Sequence, residues 1–465
     1  MFLIFLFTIF SMFIRGYQYG QGNQIHYLIY ANYQKSPSLY PRDYLLATHK
    51  LSPTLFPSFV NFTTQLTHSQ ELSALGIYVI TLFAFYRVIF KIGQALGFDK
   101  KTIWLSLFLF IYPFPVAQSS INTVEASLMP RFLGDVFLLI SVYLLLKKRF
   151  RLSILPAVIG FLFHPLTLIP YPLILGILTL TGYFKPPKIL YWLFGISLLS
   201  LPWAISYYLS QSSNPFFVDP AWREILVSRM PYIFARTWSW KWQVATALIP
   251  LFFIYLKKIH PVAVTAVFTS YLLFLINIIS DLLSIHLGLE LQLTRNLYLV
   301  FIFLILYTAK TLTSRINKKL LTSVVIVLSI ASILLTLKNK SDEKSYAYTP
   351  PAGYVNSALW AKTNTPTDSL FLVPPEISGF RFFSQRSVVV ERKEGGDSLY
   401  SRKLALEWAK RQQRLTDYYN LDSKKINKLI TEYGINYIIT TQIMPYPTIY
   451  SSTDWKVYNV KEKDD

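Results

Sequence analysis

Leu152-Ser-Ile-Leu-Pro-Ala-Val-Ile-Gly-Phe-Leu-Phe-His164-Pro165-Leu-Thr-Leu-Ile-Pro170-Tyr-Pro172-Leu-Ile-Leu-Gly-Ile-Leu-Thr-Leu-Thr181 is an apolar run of 30 residues. As one helix it would measure about 45 Å, well beyond a hydrocarbon core of about 30 Å. His164-Pro165 and the Pro170/Pro172 pair break it, because proline removes a helical hydrogen bond and clashes with the preceding turn. The choice between one span and two decides the topology. As a hairpin of two short helices with His164-Pro165 at its outer tip, the run places five basic clusters on one side of a membrane. These are Lys91 with Lys100/Lys101, Lys147–Arg149 with Arg151, Lys185/Lys188, Lys257/Lys258, and Lys310 through Lys319. Cytoplasmic loops collect Lys and Arg, so the hairpin is preferred. As a single helix it would send every later cluster outside.

Further helices are expected at 72–91, 102–120, 127–146, 189–210, 242–257, 261–280, 292–310 and 320–337. The run 1–14 covers only about 20 Å. It is read as a first membrane helix; a signal peptide would need a basic start and a small-residue cleavage site, both lacking. The expectation is a mainly α, polytopic transmembrane bundle of about eleven spans, with the N-terminus cytoplasmic and the C-terminus outside. Composition agrees: 53% hydrophobic and only 15% charged residues exclude a soluble globular protein, a disordered chain and a porin-like barrel. The net charge of +21 sits between apolar runs, which fits orientation in a membrane rather than nucleic-acid binding. The absence of cysteine excludes disulfides, iron–sulfur sites and thiolate zinc.

Residues 1–337 form the expected transmembrane domain, with long outer loops at 15–70 and 211–240. A charged linker follows at 338–349. Residues 350–465 are expected to form a small extracytoplasmic α/β domain. Strands are read at 368–374, 387–390, 436–440 and 455–460, and helices at 399–419 and 426–433, the latter closed by Gly434. Strand–helix–strand alternation predicts a partly parallel sheet.

Nine acidic residues fall in the membrane region, most at its outer edge, where a carboxylate is costly unless paired or functional. Asp43, in Ser38-Leu-Tyr-Pro-Arg-Asp-Tyr, is the sharpest catalytic candidate: a loop carboxylate at a membrane surface can take a proton from a hydroxyl or hold a divalent cation. The competing reading has it capping the turn after Pro41, with Arg42 as its partner or as a phosphate ligand. The other cleft candidates are Glu125, Arg131, His164, Asp281, His286 and Glu290. Asp281, His286 and Glu290 lie close enough in sequence to be considered as metal ligands, but match no strong signature. Arg295, opening a span, suits a lipid phosphate. The 215–242 loop interleaves Arg223, Arg229 and Arg236 with aromatics; it reads as an interfacial anchor, as a lid over a lipid-linked substrate, or as both. Walker, Gly-x-Gly-x-x-Gly, His-Glu-x-x-His, Gly-x-Ser-x-Gly and Asp-x-Asp patterns are missing, which argues against ATP hydrolysis and leaves no cofactor implied.

Several stretches together resemble a known family: Tyr19-Gly20, Asn23-Gln-Ile-His26 and Pro37-Ser-Leu-Tyr-Pro-Arg-Asp43 in the first loop; His164-Pro165; the Arg295 helix; and Thr365-Pro-Thr-Asp-Ser-Leu-Phe-Leu-Val-Pro-Pro375, Phe380-Arg-Phe-Phe-Ser-Gln-Arg386, Val388-Val-Val-Glu-Arg-Lys393 and Glu407-Trp408 in the tail. The chain is similar to a bacterial family of uncharacterised multi-span membrane proteins related to the GT-C type of glycosyltransferase. That resemblance implies a polyprenyl-phosphate-linked sugar as donor and transfer at the outer face of the plasma membrane. It implies an essential first-loop carboxylate, matched by Asp43, and a basic residue on the lipid phosphate, matched by Arg295 or Arg236. Better-known members carry a paired acidic motif where this chain has Arg42-Asp43, so a divalent cation stays an open alternative. A secondary transporter, a lipid-linked glycan polymerase or ligase, and a non-catalytic envelope-assembly protein are the competing classes; a transporter would predict inverted repeats and mid-membrane polar residues.

Overall fold

The structure, a computed structural model, describes residues 1–48, 54–184, 214–256, 258–341 and 350–460. The expected helix at 189–210, the Lys185/Lys188 pair and residues 342–349 of the expected linker lie outside the described residues. The chain divides into two compact units. The first comprises Met1–Tyr17, Leu75–Pro220 and Met230–Ser345; the second comprises Gln18–Ala74, Ala221–Arg229 and Tyr346–Asp465. The first long loop is thus grouped with the C-terminal segment, and the 211–240 loop is divided between the two units.

The first unit is helical, and its helices fall where the apolar runs placed them. They include Phe2–Arg15, Lys100–Leu109, Pro130–Leu146, Phe150–Phe163, Pro170–Leu180, Trp240–Tyr255, Pro261–Leu282 and Lys318–Ser341. Their lengths correct the expected span count. Among the described residues three helices, not about eleven, are long and apolar enough to cross a membrane: Gln70–Ala95, Pro261–Leu282 and Leu293–Arg315. Four more are apolar but shorter: Phe2–Arg15, Phe150–Phe163, Pro165–Leu180 and Lys319–Leu334. The apolar run at 102–120 overestimates its helix because it reads through helix breakers. The helix expected to reach residue 120 stops at Leu109, ahead of Pro113 and Pro115, since the residue before a proline is pushed out of the α region.

The decisive 30-residue run is broken at the expected place. Its first helix ends at Phe163, His164 adopts an extended backbone, and a 3-10 turn over Pro165–Leu168 leads into the Pro170–Leu180 helix. The chain then doubles back: the Phe150 and Phe184 rings lie 5.5 Å apart, and the Lys148 ammonium sits over the Tyr183 ring. Both parts lean on the Pro130–Leu146 helix, which is buried along most of its length. Small residues permit the approach. A Cβ at Gly160 would stand 2.9 Å from Phe137 Cβ, and one at Gly134 would stand 3.2 Å from His164 Cβ.

The second unit holds a five-stranded sheet in the order β2-β1-β3-β5-β4. Its strands are β1 Leu370–Leu372, β2 Ser387–Val388, β3 Tyr437–Thr440, β4 Thr448–Ser452 and β5 Trp455–Asn459. β1 pairs in parallel with β2 and β3, while β5 runs antiparallel to β3 and β4. A partly parallel sheet was the expectation; β4 and the Ala352–Asn364 helix were not foreseen. The Ser423–Tyr433 helix is bounded as its signals require: Asp422 accepts a hydrogen bond from the Lys425 amide, and Gly434 closes it at φ 66°. Trp222, expected in an interfacial loop, is fully buried here and donates its indole N–H to the Ser398 carbonyl at 2.8 Å. Trp240, in the first unit, is 70% exposed.

Candidate functional site

In the first unit the candidate residues begin at a buried ion cluster. The Arg131 guanidinium donates to Asp135 Oδ2 at 2.9 Å, one helical turn along, and to Glu125 Oε1 in the preceding loop. Tyr78 fixes that loop by donating its hydroxyl to the Glu125 carbonyl at 2.9 Å. Two carboxylates thus share this one guanidinium. Arg131, Asp135, His164, Thr167, Arg295 and Tyr298 line one pocket, closed on its apolar sides by leucines.

Arg295 has a different environment from every other expected site cation. It sits in the 3-10 turn Leu293–Leu297 that opens the Tyr298–Arg315 helix, entered through Gln292 at φ 48°. Its guanidinium lies over the Tyr232 ring, 5.2 Å from the centroid. Among the described residues it pairs with no carboxylate, and its buried Nε has no hydrogen-bond partner. Tyr298, three residues on and so on the same helix face, also has a buried hydroxyl without a partner. Leaving such groups unmet costs roughly 1–3 kcal/mol each, so a pocket that keeps two of them is suited to an incoming acceptor of hydrogen bonds. Arg236 is instead engaged. It grips Asp281 with Nε at 2.9 Å and Nη2 at 3.1 Å, with Asp281 fully buried. His286 and Glu290 form their own pair at 3.9 Å. Among the described residues no three metal-ligating side chains come together, so the Asp281–His286–Glu290 spacing does not converge on one point. His164 presents Nδ1 to the Thr167 hydroxyl at 2.8 Å.

Asp43 and Arg42 belong to the second unit. Asp43 is 1% exposed. Its Oδ1 accepts from the Leu45 and Leu46 amides at 3.1 and 3.3 Å, capping the short Tyr44–Thr48 helix. Its Oδ2 accepts from Arg381 Nε at 2.5 Å. Arg42 points elsewhere, donating to Asn436 Oδ1 at 2.8 Å and to the Tyr433 carbonyl at 3.0 Å, at the end of the Ser423–Tyr433 helix. Arg381 is the hub that sequence reading missed. Besides Asp43 it contacts Glu394 and, at 3.6 Å, Glu391. Tyr44 donates to Glu394 at 2.7 Å; nearby, Tyr30 and His26 contact Asp397 at 2.7 and 3.1 Å. The available signal was Arg381 itself, a charge set among aromatics in Phe380-Arg381-Phe382-Phe383.

Three buried carboxylates around one guanidinium cannot all ionise cheaply. Burial would depress the Arg381 charge, but the carboxylates overcome it and hold the group well above its ordinary range. Burial, with Asp43 and Glu391 adding repulsion, pushes Glu394 up to about 7 against the pull of Arg381. Folding therefore takes up a proton at Glu394 between its unfolded value near 4.5 and about 7. That contribution is fully present below pH 4.5 and is lost as pH rises through 7, by at most roughly 3 kcal/mol. Thermal unfolding of the detergent-solubilised protein is expected to move to lower temperature between pH 5 and pH 8. Glu394→Gln, which mimics the protonated form, is expected to flatten that slope; an unchanged slope would show that Glu394 is ionised throughout.

Comparison with known proteins gives one domain match over part of the chain and one structural similarity. The profile of a domain of unknown function, DUF6798, matches residues 353–415, the stretch that contains Arg381, Glu391, Glu394 and Asp397. No curated protein matches the chain. Among solved structures, the crystal structure of the Archaeoglobus fulgidus oligosaccharyltransferase, tethered to an acceptor peptide with an NVT sequon, is similar at TM-score 0.45 and 11% identity. The match covers 94% of this chain and 68% of that one. At that level of likeness nothing about activity passes to this chain.

Proposed function

We propose that this is a membrane glycosyltransferase that moves a sugar from a polyprenyl-phosphate-linked donor to an acceptor at the outer face of the bacterial plasma membrane, with the α/β segment on the outside. The observation that carries the reading is Arg295: a guanidinium at the start of a membrane-length helix, in a pocket, with its Nε unmet and, among the described residues, no carboxylate of its own. A lipid phosphate supplies what that group lacks, and a charge-assisted bond to it strengthens as the phosphate becomes the leaving group. The sequence resemblance to GT-C-type enzymes supplies the reaction class. In this reading Arg236 serves Asp281, and Asp43 serves Arg381 as a structural partner.

Purified protein is expected to carry a polyprenyl phosphate detectable by mass spectrometry and to turn over at least one polyprenyl-phosphate sugar. Gradient-driven flux of a solute without bond cleavage would replace this reading with a transporter.

A further inference from the structure

Resting on that reading, we propose that His164 is the proton acceptor of the transfer, drawing the proton from the acceptor hydroxyl through Nε2. Three observations place it there. It lines the same pocket as Arg295 and Tyr298, where the donor phosphate is proposed to sit. Its Nδ1 is taken by the Thr167 hydroxyl at 2.8 Å, while among the described residues Nε2 has no hydrogen-bond partner. Its backbone is fixed by a hydrogen bond from its amide to the Gly160 carbonyl at 2.8 Å and by close contact with Gly134, where even a methyl group would press on it.

The neighbouring carboxylates are less suited. Asp135, which lines the pocket, and Glu125 both pair with Arg131, which takes one oxygen of each. With Nδ1–H donating to the Thr167 oxygen, the neutral imidazole offers a lone pair at Nε2, and the same bond holds the ring in place once it is charged. In the step itself the acceptor oxygen bonds to the anomeric carbon as the bond from that carbon to the phosphate oxygen breaks. The bonding pair leaves on the phosphate, which Arg295 holds, and the hydroxyl proton passes to Nε2. The oxygen donates its electrons in-line with the departing phosphate, and no further co-reactant is consumed.

The test separates turnover from donor binding in the full-length protein. His164→Gln is expected to lower sugar transfer at least ~100-fold, the low end for loss of a general base. Its affinity for a polyprenyl phosphate is expected to stay within about threefold of the parent, which also shows that the pocket has folded; His164→Asn serves as the second variant. Thr167→Val is expected to reduce turnover and shift the acid limb of the pH–rate profile, with Thr167→Ser restoring both. Transfer within about threefold of the parent in the His164 variants, or a loss of donor binding equal to the loss of turnover, would overturn the assignment and leave the transferase reading standing. Absence of turnover by the parent on every polyprenyl-phosphate sugar would overturn both.

Discussion

Arg295→Ala is expected to weaken polyprenyl-phosphate binding by about 10- to 100-fold, the equivalent of one charge-assisted hydrogen bond. The effect is expected in donor affinity, read by lipid retention on purification and by a direct titration. The thermal midpoint is expected to change little, because among the described residues Arg295 gives up a ring contact with Tyr232 and no direct ion pair. Arg295→Lys keeps the charge but loses the planar donor set, so an intermediate loss is expected. Arg236→Ala is the contrasting variant. It removes an ion pair from Asp281, whose side chain is fully buried, and so is expected to lower stability while donor affinity survives. Equal loss of donor binding in the two alanine variants would show that neither guanidinium is the phosphate ligand.

Arg381→Met is expected to destabilise the second unit by roughly 3–5 kcal/mol, the cost of leaving buried carboxylates without their counter-charge. Three carboxylates share this one guanidinium, so the loss is expected at the upper end of that range. Adding Glu394→Gln to Arg381→Met is expected to recover part of it, since the two sites interact directly and their effects do not add. Asp43→Asn distinguishes the two roles open to that residue. Asparagine can still cap the Tyr44–Thr48 helix but forfeits the ion pair with Arg381. As a structural partner, Asp43 is expected to show its loss in the unfolding midpoint, with turnover per folded molecule nearly intact. As the base, it would show at least ~100-fold slower transfer in a protein of unchanged stability.

The amino-acid sequence determined what depends on near neighbours. Apolar runs fixed where the helices of the first unit lie, because burial of a helix face or span needs contiguous apolar residues. Asp422 and Gly434 fixed the ends of one helix, because capping is satisfied within a turn of the chain. Strand–helix alternation fixed a partly parallel sheet. The Leu152–Thr181 run signalled its own break, since proline acts through local sterics.

Tertiary structure alone decided which charges were free. Arg236 and Arg295 each lie in a short turn ahead of an apolar helix; only packing gives Asp281 to the first and, among the described residues, no carboxylate to the second. His164 and Arg295 lie far apart along the chain yet share a pocket, and Gly134 lets the His164 turn approach the Pro130–Leu146 helix closely. Asp43 meets Arg381 across 338 residues of sequence. No local pattern encodes such a pair. Its energy depends on burial, which raises both the cost of each isolated charge and the strength of their attraction, and burial exists only once the two segments have folded as one unit.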